Sequence, residues 1–308
     1  MNYWFTGTGK FAALCLEELI KNGLSFTKII TGFPTRSGRN NKENPSHVEI
    51  KAKELRLNVL RTGKLNENND LISELEKNTP DIIFVIDFGQ IIREPFLSAP
   101  KIGCLNIHPS LLPLYRGAAP VQRALLNGEK FTGVSVFKLV PAMDAGGILA
   151  QEKFEIPEKF NASDLYLKLA EIGCKITAEA LKNDLVFTPQ NDSLATYAAK
   201  LEKNEFELSF SMPAEKFLNT VRALDMSGGA YIKIRNKRVK ILRAEIRRDL
   251  KNKNLCGNII ETEKNPVVSC SDFCVELAEI QSEGKKITSG SDWARGLRLK
   301  TGENLNIV

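Results

Sequence analysis

The chain has 308 residues, of which 43% are apolar and 26% are charged, and its formal net charge is +6. This composition is ordinary for a soluble globular protein and predicts two domains, or one large one. No apolar run is long enough to span a bilayer, so we expect no membrane partner. The first five residues lack the basic and small-residue signals of a secretory leader, which leads us to expect a cytoplasmic location.

The first half of the sequence alternates strand and helix patterns. Residues 3–6 and 27–31 are predicted strands separated by a helix, and residues 81–86 form an apolar run typical of a strand buried on both faces. Alternation of this kind predicts parallel β-α-β units. We expect an open, mostly parallel, Rossmann-like α/β sheet with helices on both faces.

The next segments continue this pattern. Residues 105–108 are a predicted strand, residues 117–127 a predicted helix, and residues 132–139 and 148–154 two further strands. A long amphipathic helix follows, with Leu165, Leu169 and Ile172 on one face.

The character of the sequence changes after Leu185. Residues 189–196 are polar and rich in turn formers, as in a linker. One more helix pattern ends at Leu224, and then short strand candidates such as 231–235 and 239–242 flank a predicted hairpin. Many short strands with close turns indicate a small, OB-like β-barrel. We expect a first domain over residues 1–188, a linker over 189–204 and a barrel domain over 205–308.

The basic residues are concentrated in one segment. Ten of them lie between Lys233 and Lys253, opposed by only two acidic residues. The six cysteines form no C-x-x-C pair, and His47 and His108 are the two histidines. We therefore expect buried free thiols and no bound metal.

A strand end carries the most informative polar residues. Asn106 and His108 alternate with apolar neighbours in residues 105–108, so both point to the same face. Pro109 ends the strand, which places them at its carboxyl end, where open α/β sheets bind ligands. Each residue alone is more often a satisfied polar group, but the pair at this position favours a functional site.

Asp144 is a further candidate, in a loop that follows the predicted strand 132–139. Gly146 and Gly147 allow close approach of a ligand to the backbone. An isolated aspartate in a turn more often bonds its own backbone, and the local pattern alone favours that interpretation.

Residues 110–120, Ser-Leu-Leu-Pro-Leu-Tyr-Arg-Gly-Ala-Ala-Pro, preceded by Asn106 and His108, resemble the signature of the folate-dependent formyltransferases. Further matches occur at residues 7–12, 88–92, 143–146 and 196–203, so the resemblance covers nearly the whole chain. It is closest to the members that formylate initiator methionyl-tRNA.

The resemblance implies a catalytic trio of Asn106, His108 and Asp144. In that reaction an amine attacks the formyl carbon of 10-formyltetrahydrofolate, and no metal is required. The Asn106 amide and a His108 ring N–H would donate to the oxyanion, and His108 would exchange the proton. Asp144 would either orient His108 or accept the amine proton, and the sequence leaves both roles open.

The resemblance also implies a folate pocket and a tRNA surface. The pocket would be an apolar cleft, although core packing is the alternative for Ile91 and Ile92. Its expected residues are Phe88, Gly89, Gln90, Ile91, Ile92, Ser110, Leu111, Leu112, Pro113 and Met143. A basic loop and the basic segment would contact initiator methionyl-tRNA through phosphates, although most basic runs are solvated faces. Those residues are Arg36, Arg39, Lys42, Lys233, Arg235, Lys237, Arg238 and Lys240.

Several positions depart from the family pattern. Gly9 and Lys10 stand where a proline and an acidic residue are usual, Asp87 replaces an alanine and Gly147 an aspartate. None belongs to the trio, so these departures bear on folate affinity and tRNA grip.

Four other functions remain as alternatives. A nucleotide-sugar formyltransferase has the same domain plan, but the local basic excess favours tRNA. A glycinamide ribonucleotide formyltransferase needs no second domain. A dinucleotide oxidoreductase would use the loose G-x-G-x-x-A of residues 7–12, but lacks an acidic residue after the second strand. A non-catalytic RNA-binding protein would leave the trio unexplained.

We expect the protein to be a monomer.

Overall fold

The computed structural model describes residues 1–37, 42–235, 237–252 and 255–307. The chain divides into two compact units. Unit 1 comprises Met1–Pro120, Phe131–Glu155 and Tyr166–Ala198, and unit 2 comprises Val121–Lys130, Ile156–Leu165 and Ala199–Val308.

Unit 1 contains a mixed, mostly parallel seven-stranded sheet. The strands of unit 1 in chain order are β1 (Tyr3–Gly7), β2 (Lys28–Gly32), β3 (Thr35–Ser37), β4 (Lys42–Asn44), β5 (Leu60–Thr62), β6 (Ile82–Ile86), β7 (Gly103–His108), β8 (Arg116–Gly117), β9 (Phe131–Lys138), β10 (Ile148–Glu155) and β11 (Tyr197–Ala198). Of these, β3 pairs with β4 and β8 pairs with β11, outside the seven-stranded sheet. The sheet order is β10-β9-β7-β6-β1-β2-β5, in which β9 is antiparallel to both of its neighbours and all other pairs are parallel. The predicted open α/β sheet is therefore confirmed.

Helices cover both faces of this sheet. The helices of the first 180 residues are α1 (Lys10–Lys21), α2 (His47–Glu54), α3 (Asn69–Lys77), α4 (Pro120–Leu126) and α5 (Ala162–Ala180), of which α4 after Pro120 and the start of α5 belong to unit 2. On one face, Leu71 and Leu75 of α3 pack in a core cluster with Trp4 and Ile83. On the other face, α5 packs so closely that a Cβ at Gly173 would lie 2.7 Å from Ile107.

One predicted helix boundary is wrong. The sequence pattern predicted a helix from residue 117, but α4 begins at Pro120 and Gly117 belongs to β8. Gly117 has φ of +116°, and a Cβ there would lie 2.9 Å from the Ala198 carbonyl oxygen of β11. Pairing of β8 with a strand 81 positions away along the chain overrides the local pattern, which carries no sign of that partner.

Unit 2 contains an antiparallel sheet, as predicted. Its elements in chain order are α6 (Ala214–Leu224), β12 (Ala230–Ile234), β13 (Lys237–Lys251), β14 (Ile259–Glu261), β15 (Val267–Ser269), β16 (Phe273–Ser282), β17 (Thr288–Ser289) and α7 (Gly290–Leu297). The strand order is β12-β13-β16-β15-β14, with β17 on β16. The predicted strand 239–242 is only the start of the 15-residue β13, whose register shifts along β16. In the part of the chain that is described, no helix has the length and apolar character that crossing a bilayer requires.

Candidate active site

Strand β7 presents Asn106 and His108 on one face. It pairs in parallel with β6 and antiparallel with β9, and the intervening Leu105 and Ile107 are buried on the opposite face. This alternation follows directly from the pleat of a strand. His108 is only 5% exposed, and the Phe137 ring lies edge-on to it.

The ring orientation of His108 is fixed by the Tyr115 backbone. The Nε2 atom lies 2.9 Å from the Tyr115 carbonyl oxygen. A carbonyl oxygen only accepts hydrogen bonds, so Nε2 carries a proton and donates it. In the neutral ring, Nδ1 then keeps its lone pair, and it faces Asp144.

Asp144 lies beside that free nitrogen. Its Oδ2 atom is 3.9 Å from His108 Nδ1, a distance too long for a direct hydrogen bond. The same oxygen accepts a hydrogen bond of 2.8 Å from the Gly117 N–H. The structure thus brings together two residues that are 36 positions apart, and the carboxylate has a fixed place next to the imidazole.

Asn106 offers an unpartnered polar atom. Its Nδ2 atom donates to the Val85 carbonyl oxygen at 2.7 Å. Its Oδ1 atom is buried, with no hydrogen-bond partner among the residues that the structure describes. A buried acceptor left in this state costs about 1–3 kcal/mol, so the arrangement favours a site that a ligand completes. The second N–H of the amide is a further donor.

The expected folate-loop residues differ in exposure. Phe88 and Ile92 are buried in the same core cluster as Trp4, whereas Ile91 is 71% exposed and Met143 is 61% exposed. Core packing therefore accounts for Ile92 but leaves Ile91 available.

Gln90 and Gly89 shape this loop. The Gln90 side chain accepts from the Leu65 N–H at 3.1 Å and donates to the Gly63 carbonyl at 2.7 Å. Gly89 has φ of +76°, a conformation that favours glycine. Gln90 thus contributes by anchoring the loop.

The Ser110–Pro113 turn is held by residues that the sequence did not single out. Buried Ser135 donates to the Ser110 carbonyl at 2.7 Å and accepts from the Leu112 N–H at 3.0 Å. Gln151, directly opposite Ser135 in the β9–β10 pair, donates to the Leu112 carbonyl at 2.9 Å. Leu111 packs so close to β9 that a Cβ at Gly133 would lie 2.4 Å from it. In the sequence, Ser135 stands between apolar neighbours in β9, whereas Gln151 is one of several polar residues in β10.

Two departures from the family pattern compensate each other. The Asp87 carboxylate accepts hydrogen bonds from the Phe11 and Ala12 N–H groups at the start of α1. A Cβ at Gly9 would lie 1.8 Å from that carboxylate, so only glycine fits there. Asp87, directly after β6, thus places a carboxyl group at the N-terminus of α1, although burial raises the pKa of this group above its ordinary value.

Three of the expected tRNA residues of unit 2, Lys233, Arg238 and Lys240, lie on one face of the β12–β13 hairpin, which we call the basic hairpin face. Lys233 lies opposite Arg238, and Tyr231 lies opposite Lys240. The Arg238 guanidinium stacks 4.6 Å from the Tyr231 ring centroid, and Lys233 forms an ion pair of 2.7 Å with Glu207. Ile232 and Ile234 are buried on the other face, as predicted.

The remaining basic residues occupy different positions. Arg235 lies in the hairpin turn with φ of +48°. The exposed Lys237 lies opposite Ile234, on the opposite face of the hairpin from Lys233 and Arg238. Arg36 and Lys42 belong to β3 and β4, which pair as a short antiparallel hairpin where the sequence predicted only a loop. Arg39 lies outside the described residues.

Comparisons with known proteins agree with this geometry. The family model for formyl transferase matches residues 2–181, and the model for the formyl transferase C-terminal domain matches residues 200–298. The methionyl-tRNA formyltransferase of Caldicellulosiruptor saccharolyticus is 34% identical over 314 residues, covering 99% of this chain and 100% of that protein.

Two solved structures share the fold. A methionyl-tRNA formyltransferase from Clostridium thermocellum has a TM-score of 0.55 at 20% identity and covers 80% of this chain and 93% of its own. A sugar 3N-formyl transferase, WlaRD, has a TM-score of 0.65 at 21% identity and covers 93% of this chain and 99% of its own. From the family models and the near-complete coverage of its relatives, the chain belongs to the formyl transferase family of enzymes, among the methionyl-tRNA formyltransferases.

Proposed function

We propose that this chain transfers the formyl group of 10-formyltetrahydrofolate to the free amino group of initiator methionyl-tRNA. The observation that carries the proposal is the arrangement of His108, with Nε2 bound to a carbonyl and Nδ1 facing the Asp144 carboxylate at 3.9 Å. This arrangement provides a proton acceptor whose charged form has an anion beside it. The names of the full-length relatives support the choice of acceptor.

We propose that His108 Nδ1 takes the proton from the attacking amine. The amine nitrogen forms a bond to the formyl carbon, and the resulting imidazolium is stabilised by the nearby Asp144 carboxylate. The same proton then passes to N10 of the folate as the bond between N10 and the formyl carbon breaks, so no proton is gained or lost overall. Of the two roles open to Asp144, its hydrogen bond from Gly117 and its place beside Nδ1 favour stabilising His108.

Asn106 would act on both reacting groups. Its second N–H is suited to donate to the oxyanion of the tetrahedral intermediate, because an amide held in place needs no reorganisation as charge develops. Its unpartnered Oδ1 is suited to accept an N–H of the incoming amine. The interaction with the amine would give the buried Oδ1 atom the partner that it lacks.

We propose that the folate donor lies against the exposed side chains of Ile91 and Met143. A sugar 3N-formyl transferase solved with 5-N-formyl-THF and HypX solved with tetrahydrofolic acid share this fold, which supports a folate-type donor. The domain limits that we propose are 1–188 for catalysis, 189–204 for a linker and 205–308 for tRNA binding.

The basic hairpin face is the proposed tRNA contact of the C-terminal domain. Like charges directly opposite each other on a sheet repel, and Lys233 and Arg238 occupy such a pair. Glu207 already offsets the charge of Lys233, so a phosphate would bind mainly at Arg238, whose guanidinium stacks on the buried Tyr231 ring. We also propose that Arg36, Arg39 and Lys42 contact the acceptor end, and that the enzyme acts in the cytoplasm as a monomer.

A direct assay of acceptors tests the proposal. Formyl transfer from radiolabelled 10-formyltetrahydrofolate is measured with initiator methionyl-tRNA, elongator methionyl-tRNA and a dTDP-linked amino sugar. Rapid labelling of the initiator tRNA alone supports the assignment. Preferential labelling of the amino sugar would overturn it in favour of a nucleotide-sugar formyltransferase.

A further inference from the structure

Gln190 binds the backbone of the loop that carries Asp144. Its Nε2 atom donates to the carbonyl oxygens of Asp144 and Gly146, each at 2.8 Å. Its Oε1 atom accepts from Arg116 Nε at 3.1 Å and Nη2 at 2.7 Å. Carbonyls only accept and a guanidinium only donates, so these partners fix which way the amide points.

Arg116 is buried and anchors the Gln190 side chain. It is only 4% exposed, and besides Gln190 it binds Asp192, at 2.6 Å. A buried guanidinium requires such partners, because an unpaired charge away from water is strongly destabilising. The next residue, Gly117, donates its N–H to the Asp144 carboxylate. The two-residue strand β8 therefore holds Asp144 by its carboxylate through Gly117 and by its backbone through Gln190.

The loop needs this external support. Asp144 has φ of +51°, in the left-handed region, which aspartate enters more readily than most residues but which still favours glycine. Gly146 is packed so tightly that a Cβ there would lie 1.7 Å from the Lys138 carbonyl oxygen. The two hydrogen bonds from Gln190 bracket this segment, because they bind the carbonyls on either side of Ala145.

We propose that Gln190 is a positioning residue for formyl transfer, which holds Asp144 in the left-handed conformation that keeps its carboxylate beside His108 Nδ1. The inference rests on the proposed function, since it assigns Gln190 an effect only through Asp144. Without the two bonds, the loop relaxes toward an ordinary backbone conformation and the carboxylate shifts. A displacement of about 1 Å in a catalytic group lowers the rate by up to about 100-fold.

Two substitutions test this role. Gln190→Glu keeps the size of the side chain and can pair with Arg116, but it has no N–H to donate, and Gln190→Leu removes both functions. We expect each to lower kcat about 10- to 100-fold, with KM for tRNA and for folate within about twofold of the unmodified enzyme. Asn191→Ala is the matched control, because the Asn191 side chain caps the adjacent turn by accepting from the Ser193 N–H. A Gln190→Glu enzyme with unchanged kcat, or with a raised KM alone, would overturn the inference.

A double-mutant cycle separates positioning from general stability. In an Asp144→Asn enzyme the carboxylate charge is already absent, so adding Gln190→Glu should cost less than about twofold more. The same fold-loss in both backgrounds would show that Gln190 acts independently of Asp144 and would overturn this inference alone. An unmodified chain unable to formylate methionyl-tRNA would overturn the proposed function and this inference with it.

Discussion

The Nε2 atom of His108 lies 2.9 Å from the carbonyl oxygen of Tyr115, which fixes the tautomer of the imidazole. Tyr115 itself has φ of +59°, a conformation that turns its carbonyl toward the ring. Because Nε2 must carry the proton in this bond, Nδ1 is the nitrogen left to receive one. In the proposed mechanism the two ring nitrogens have separate tasks, one of orientation and one of chemistry, and substitutions can separate them.

His108→Gln should keep the hydrogen bond to the Tyr115 carbonyl and lose the basic nitrogen at the Nδ1 position. A glutamine amide reaches the Tyr115 carbonyl, but it has no basic lone pair at the Nδ1 position. We expect kcat for methionyl-tRNA formylation to fall at least about 100-fold with little change in Tm. His47→Gln, at the other histidine, is the control and should keep its activity. More than a tenth of the original kcat in His108→Gln would contradict the role of Nδ1.

Substitutions at Ile91 and Ile92 should separate an effect on folate binding from an effect on protein stability. Ile92→Ala removes a buried side chain of the core cluster and should lower the free energy of unfolding by about 2–5 kcal/mol. Ile91→Ser alters a side chain that is 71% exposed, so we expect unchanged stability and a raised KM for the folate donor. Urea unfolding and steady-state kinetics on both variants measure the two effects. An unchanged folate KM in Ile91→Ser would exclude that side chain from the pocket.

The sequence was most informative where local pattern decides structure. The apolar run at residues 81–86 became the buried β6, and the alternation at 105–108 put Asn106 and His108 on one face of β7. Both outcomes follow from strand periodicity, which is readable residue by residue.

Long-range contacts were beyond such patterns. Gly117 looked like the start of a helix because its partner Ala198 is 81 residues away, and Gln190 looked like part of a polar linker although it binds the Asp144 loop. The hydrogen bonds of Ser135 and Gln151 to the 110–113 turn likewise connect separate segments. Which polar side chain completes which turn depends on the assembled fold and is not encoded within any one segment.

The ion pair between Arg123 and Glu205 should stabilise unit 2 at neutral pH, and this stabilisation should be lost in acid. Arg123 binds both oxygens of the Glu205 carboxylate, and this bond lowers the pKa of Glu205 below its ordinary value. A carboxyl group whose pKa is lower in the folded state than in the unfolded state stabilises the folded protein at pH values above the unfolded-state pKa. This stabilisation is lost as the pH falls through the folded-state pKa.

The matching experiment compares the original chain with Glu205→Gln. We expect the substitution to cost about 1 kcal/mol of unfolding free energy at neutral pH, and less at a pH of about 3, because the ion pair weakens as Glu205 becomes protonated. Glu263→Gln, at an exposed residue, should have no effect at either pH. A cost of the same size in acid would contradict an electrostatic origin.

The basic hairpin face predicts a change in the salt dependence of tRNA binding. Arg238 and Lys240 of β13 lie on the same face of the hairpin as Tyr231 and Lys233 of β12, and we propose that they neutralise phosphates there. Each phosphate contact that is removed lowers the slope of log Kd against log salt by about 1, so Arg238→Ala with Lys240→Ala should reduce it by about 2. Arg295→Ala with Lys300→Ala removes the same charge from the region of α7 and serves as the control, since Arg295 is paired with Asp292. If both double variants lower the slope equally, the effect arises from net charge and the hairpin has no special place in tRNA binding. A loss confined to Arg238 and Lys240, with unchanged kcat at saturating tRNA, identifies the hairpin as a positioning contact on the phosphate backbone, which carries no sequence information of its own.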